Sequence, residues 1–252
     1  SFRQGVEEKG YDITFLGRHV GKSELSYSEH SKYRGVDGVI VACVDFEAEE
    51  VKELLQSGIP VVTIDYIFND KACVMSDNIR GMEQLVSYII QCGHKKIAYI
   101  HGADSFVTRS RIGSFLRTMK RYGIETEDRY IREGIYHAPD VSAKITHELL
   151  SLEDRPTCIV YPDDFSCIGG INVIRSKGLS IPNDISVAGY DGQRIAHVIE
   201  PKITTYRQNT EQIGKVAAAK LVELIEQPEL ALVERLDVQG ELIRGCSVLS
   251  MK

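Results

Sequence analysis

No stretch of the 252-residue chain comes near the ~20 consecutive apolar residues that a membrane-spanning helix needs, so no such helix is expected. There is no basic excess: 30 Lys and Arg stand against 36 Asp and Glu, a net charge of −6. That balance speaks against a large nucleic-acid-binding face. The six cysteines (43, 73, 92, 158, 167 and 246) form no C-x-x-C pair. Most lie among apolar neighbours, as Cys43 and Cys158 do, and read as small reduced core residues of a cytoplasmic protein, with a disulfide as the minor alternative. No signal peptide opens the chain, and Ser1 reads as a cut rather than a natural start.

The motifs of common catalytic sites are also missing. G-x-S-x-G, H-E-x-x-H and G-x-G-x-x-G do not occur, and the seven histidines are not spaced to present two on one helix face. No catalytic residue, metal site or cofactor is therefore expected, and the chain is not read as an enzyme. Residues 17–23, Gly-Arg-His-Val-Gly-Lys-Ser, come closest to a phosphate loop. One residue too few separates the two glycines, so this stretch reads as a solvated loop.

What is present is a rhythm. Apolar runs that suit buried strands occur at residues 11–16, 39–42, 61–64, 74–75, 97–100, 130–136, 158–161, 185–190, 203–206 and within 235–243. Between many of them lie stretches with helical periodicity, at 47–57, 79–92, up to 122 after a loop at 102–108, 141–150, 165–177 and 210–225. Glycines 58, 93, 123 and 178 stand where such helices stop. This alternation argues for an α/β fold with parallel sheets flanked by helices. The number of strands exceeds a usual single sheet, which favours two lobes.

The stretch 158–192 shows the logic best. A strand, a helix and a second strand make a right-handed βαβ unit whose strands end on one edge. Asp163 and Asp191 follow those ends, where open α/β sheets bind ligands. Asp163 with Asp164 could be an acid–base pair, but adjacent residues after a strand point apart. Asp164 reads instead as the cap of the following helix, and Asp163 as an acceptor for ligand hydroxyls or a structural acid. Asp65 and Thr108 also follow strand ends. Arg111 is either one more surface arginine on its helix or a fork for oxygens at that edge. Tyr136 either stacks on a sugar face or is ordinary core. Acids that accept, an arginine that donates and a ring that stacks together suit a neutral polyhydroxylated ligand. An anion would face Asp163 and Asp191.

Blocks spread over nearly the whole chain resemble the LacI/GalR family of bacterial transcription regulators. They are Val36-Asp37-Gly38-Val39-Ile40, Gly58-Ile59-Pro60-Val61-Val62, Asp77-Asn78 with Gly81, and Gly93-His94-Lys95-Lys96-Ile97-Ala98-Tyr99-Ile100. Arg111-Ile112-Gly113-Ser114-Phe115, Asp163-Asp164, residues 182–191, Thr204-Thr205-Tyr206-Arg207-Gln208 and Leu242-Ile243-Arg244 complete the series in family order. Ser114 departs from the glycine usual there.

The resemblance implies a two-lobed, periplasmic-binding-protein-like type I domain with three crossovers and an effector held between the lobes. The crossovers are expected near 75–76, 203–206 and 235–238. It divides the chain into an N-terminal lobe (1–75 plus 207–235), apparently without the family's first strand, and a C-terminal lobe (76–206 plus 236–252). The DNA-binding headpiece is expected outside this chain. Effector contacts fall on Asp65, Thr108, Arg111, Tyr136, Asp163, Asp191 and Gln208. The expected function is effector binding, with a sugar as effector, in a dimeric cytoplasmic repressor that reads operator DNA through the absent helix-turn-helix. A periplasmic sugar-binding protein of an uptake system is the alternative.

Overall fold

A computed structural model of the chain describes residues 6–7, 9–17, 19–20, 23–68 and 70–251. The chain divides into two compact units, residues 1–76 with 209–238 and residues 77–208 with 239–252.

In the first unit, β3 (Val39–Val41), β4 (Val61–Ile64), β5 (Ala72–Ser76) and β11 (Arg235–Val238) form an all-parallel sheet ordered β11-β5-β4-β3. Strands β3, β4 and β5 are short, mostly apolar runs because both faces are covered, whereas the edge strand β11 exposes Arg235 and Asp237. Val61 joins Val51, Leu54 and Leu55 of α2 (Glu49–Gln56) on one side. Val62 and Val74 join Ile213, Ala217 and Leu221 of α7 (Thr210–Glu226) on the other. Helix α1 (Tyr27–Arg34) has no broad apolar face, so its periodicity did not announce it. Its start is fixed by a capping box, in which Ser26 accepts from the Glu29 amide and the Glu29 carboxylate accepts from the Ser26 amide.

Two expectations for the N-terminal region change. Residues 11–16 form no strand; Ile13 is exposed and Phe15 is 96% exposed. A strand needs a ladder partner for its amides, and this segment has none among the described residues. The near-miss phosphate loop contributes His19–Val20 (β1) to a small hairpin with Ser23–Glu24 (β2), while Arg18, Gly21 and Lys22 lie outside the described residues. The sequence pattern also predicts the end of an amphipathic helix over 2–9, stopped at Gly10; it falls largely outside the described residues, of which Val6 and Glu7 are helical.

The second unit contains β6 (Ile97–His101), β7 (Ile131–Glu133), β8 (Cys158–Val160), β9 (Ser186–Asp191), β10 (Thr204–Arg207) and β12 (Glu241–Ile243). The sheet order is β12-β10-β9-β8-β6-β7, parallel except for β12 at one edge. Side chains alternate between faces with period two. Tyr99, Val160, Ala188 and Tyr190 pack with Met82, Leu85 and Phe115 of α3 (Asn78–Gln91) and α4 (Phe106–Arg121). Ala98, Ile100, Ile159 and Val187 pack with Ile145, Leu149, Ile171 and Ile174 of α5 (Pro139–Leu150) and α6 (Asp164–Ser176). Each large side chain so buried is worth about 1.5–3 kcal/mol. The apolar residues expected at 235–243 supply two strands in different units, β11 and β12.

The order of β6, β7 and β8 matters most. The chain leaves β6 for β7 on one side and then returns to β8 on the other. That reversal is a topological switch point, where the loops at the carboxyl ends part and leave a crevice. The strand expected over 130–136 is shorter than its apolar pattern. It stops at Glu133, and the Gly134 amide donates to His101 at 2.8 Å. Tyr136 is therefore left on the loop at this edge. All six cysteines are free, but Cys43 and Cys246 are exposed rather than core residues.

Candidate functional site

Helix α4 begins earlier than its pattern suggested, at Phe106, because Ser105 caps it by accepting from the Thr108 amide at 3.0 Å. Thr108 thus sits in the first turn rather than in the loop, and Arg111 one turn further on. Both are buried. The Thr108 hydroxyl donates to the Ala103 carbonyl at 2.7 Å and lies 2.9 Å from the Tyr136 hydroxyl. With both directions occupied, Thr108 sets the position of the Tyr136 ring.

Arg111 spans the switch point. Its Nε donates to Asn78 Oδ1 at 2.8 Å and its Nη1 to the Pro162 carbonyl at 3.2 Å, just beyond β8. Its Nη2 lies 3.7 Å from Asp191 Oδ1. The guanidinium carbon is 3.7 Å from the centroid of the Tyr190 ring and 5.7 Å from that of Tyr136. Burial weighs against its charge, but the facing tyrosines and Asp191 outweigh burial and raise its pKa. Arg111 remains a cation.

Asp191 ends β9 with φ 94°, outside the range that L-residues favour. Gln208 Nε2 donates to its Oδ1, and the Gln208 amide donates to its carbonyl at 3.2 Å. Burial pushes the Asp191 pKa up, while Arg111 and Gln208 pull it down. Among the described residues, Asp191 Oδ2 and Gln208 Oε1 keep open lone pairs. Cys43, Asp65 and His137 share the positive φ, and each also follows a strand end.

The cap expected of Asp164 is supplied by its neighbour, and Asp164 is buried. Asp163 is the cap of α6. It is 0% exposed, with Oδ1 taking the Ser166 amide at 2.8 Å and Oδ2 taking the Ser166 hydroxyl and the His137 amide, each at 2.8 Å. Through these bonds Asp163 clamps the Tyr136–His137 loop to α6. Asp164 is the first helical residue, and its Oδ2 accepts the Gln193 amide at 2.6 Å. Its Oδ1 is sealed in with no hydrogen-bond partner among the described residues. Burial pushes this carboxyl up to about 7, against the pull of Thr205 and Gln193.

The second unit therefore brings Thr108, Arg111, Tyr136, Asp163, Asp191 and Gln208 to one edge of one sheet. Asp65 belongs to the first unit, where it follows β4 and accepts from the Ser76 amide at 3.2 Å. Asn78, His137 and Tyr190 escaped the sequence reading. The pair Asp77-Asn78 suggests a helix cap; Asp77 is that cap, accepting from the Arg80 amide, and Asn78 is left to meet Arg111. Tyr190 looked like one more apolar strand residue. The His94 amide donates to the Ile89 carbonyl in the last turn of α3 at 3.4 Å, while its ring meets the Thr157 hydroxyl at 2.9 Å and the Leu249 carbonyl at 3.1 Å. Ser114, in place of a glycine, is buried with its hydroxyl donating to the Ile79 carbonyl at 2.6 Å.

Residues 86–248 match the family model of the periplasmic binding protein-like domain. The chain is 30% identical over 257 residues to the transcriptional repressor PurR of Haemophilus influenzae, covering all of this chain and 76% of that protein. It is 29% identical over 253 residues to PurR of Mannheimia succiniciproducens, covering 96% of this chain and 75% of that one. Among solved structures, a LacI family regulator of Enterococcus faecium with bound ribose superposes with a TM-score of 0.84 at 24% identity, covering 100% of this chain and 93% of that one.

Proposed function

Because the chain belongs to the LacI/GalR family of transcription regulators, within the periplasmic binding protein-like part of such proteins, we propose that it is the effector-binding region of a bacterial repressor whose ligand is a neutral sugar. The observation that carries the ligand assignment is the Arg111–Asp191–Gln208 group at the sheet edge. Arg111 keeps donors and Asp191 and Gln208 keep acceptors, which suits hydroxyls that both give and take hydrogen bonds. The Tyr136 ring, anchored by Thr108, supplies a flat apolar surface for the sugar. Asp163 and Thr108 act through the loop and ring they hold. Asp65 enters this reading through the family resemblance alone.

In the longer protein, a homodimer in the cytoplasm reads a palindromic operator through a helix-turn-helix. The effector shifts that dimer between forms by the difference in its affinity for them. We assign the chain no catalytic step. A panel of neutral sugars, acidic sugars and phosphosugars, titrated while tyrosine fluorescence and melting temperature are followed, tests the ligand class. A saturable response to a neutral sugar, lost in Asp191→Asn, is expected. A panel without any response, or one led by anionic sugars, overturns the assignment.

A further inference from the structure

A hollow of about 540 Å³ lies elsewhere on the second unit, between the outward face of α3, the end of α4 and the edge strand β12. None of the seven residues considered above lines it. Its volume falls in the range of small-molecule clefts, about 300–1,000 Å³. Two arginines face it, each beside a tyrosine. Arg244 has its guanidinium carbon 5.1 Å from the Tyr88 ring centroid, and Arg121 has its own 5.8 Å from that of Tyr122.

The two cations are held differently. Arg121 is fixed by Glu83, at 2.8 Å, and by the Ser87 hydroxyl at 3.4 Å. Its charge is answered locally. Arg244 is exposed on the edge of the sheet and, among the described residues, pairs with no carboxylate. On a chain with a net charge of −6, that leaves one uncompensated guanidinium against an aromatic face. Gln91 donates to the Tyr122 hydroxyl at 3.4 Å, and Leu242 adds apolar surface.

We propose that this hollow is a second binding site, for a small anion that carries a phosphate or carboxylate group on a planar ring. Arg244 meets the anionic group in the forked geometry that guanidinium offers to such oxygens, with Arg121 as the second, pre-positioned donor. The ring lies against Tyr88 and Tyr122. The site is separate from the sheet edge proposed for the sugar and stands or falls without it.

Calorimetric titration of the chain with phenyl phosphate, benzoate and inorganic phosphate tests the proposal. At least one aromatic anion is expected to bind saturably at one site, about tenfold or more tighter than inorganic phosphate, and the stronger of the two identifies the anionic group. Arg244→Ala and Arg244→Gln, both on an exposed edge and checked for an unchanged melting temperature, are expected to weaken that binding at least tenfold. Tyr88→Leu is expected to remove the advantage of the ring, and Asp191→Asn to leave binding unchanged. The proposal is overturned if no aromatic anion saturates, if inorganic phosphate binds as tightly, if the Arg244 variants bind like the parent, or if Asp191→Asn abolishes binding.

Discussion

The guanidinium of Arg111 is 3.7 Å from the centre of the Tyr190 ring, on the residue just before Asp191, to which the same guanidinium reaches. One arginine thereby ties α4 to the ends of β8 and β9. Arg111→Met keeps the bulk but takes the guanidinium away from Asn78 Oδ1, the Pro162 carbonyl and Asp191. Losing one partner of a buried ionic network costs about 3–5 kcal/mol, and a fall in the urea midpoint with an unchanged m-value would show it. Arg111→Lys keeps the charge without the fork, so a smaller loss of about 1–3 kcal/mol is expected. Arg111→Met at parental stability would mean that the guanidinium holds nothing together.

Gly102 ends up directly beneath the Tyr136 ring. A Cβ built there would lie 2.0 Å from Tyr136 Cε2, with two more ring atoms at 2.4 Å. Gly102→Ala must expel the ring and break its contact with Thr108, at a cost of about 1–3 kcal/mol. Tyr136→Phe loses only the hydroxyl contact, about 1 kcal/mol. Chemical denaturation of the two variants side by side would separate ring placement from the hydrogen bond.

Much of this edge was legible because apolar runs followed by acids mark strand ends whatever the tertiary context. The runs 61–64, 97–100, 158–161 and 185–190 all became strands within a residue or so at each end. What stayed hidden was partnership. Residues 11–16 have a strand's composition but no described neighbour to pair with, and α1 is held by a cap rather than by an apolar stripe. Which of Asp163 and Asp164 caps α6 depends on the residue at which the helix begins, and local pattern locates helix ends only to a few residues. Tyr190 could not be distinguished from ordinary core until Arg111, 79 positions away by their numbers, was seen against its ring.

Asp164 makes stability fall as pH rises. Its folded pKa, about 7, lies above the usual carboxyl value, so the folded chain keeps a proton that the unfolded chain has lost. The contribution is fully present below about pH 3.9 and is lost as pH rises through about 7. Asp163 and Asp191 add to the cost of charging it. Asp164→Asn cannot ionise, yet its amide oxygen can still accept from Gln193. Relative to that variant, the parent should lose about 3 kcal/mol between about pH 5 and about pH 8, read from urea midpoints at each pH. A constant difference would place the Asp164 carboxyl in the ordinary range.

His94 acts in the opposite direction and at the other end of the strands. Burial lowers its pKa, so its neutral ring contributes stability above about pH 6.5 that is lost as pH falls through the lower folded value. The neutral ring donates from Nε2 to the Leu249 carbonyl, leaving Nδ1 to accept from Thr157. Leu249 belongs to a C-terminal strap that also carries the Leu249 amide to Ser186 and the Met251 amide to the Cys92 carbonyl, at 2.9 and 2.8 Å. Charging His94 in this buried setting should loosen the strap before the sheet. Hydrogen exchange at the Leu249 and Met251 amides, corrected for intrinsic rates, should therefore accelerate as pH falls below the ordinary histidine value of about 6.5. In His94→Gln, which can donate to Leu249 but does not titrate, that acceleration should disappear; if it persists, another group loosens the strap.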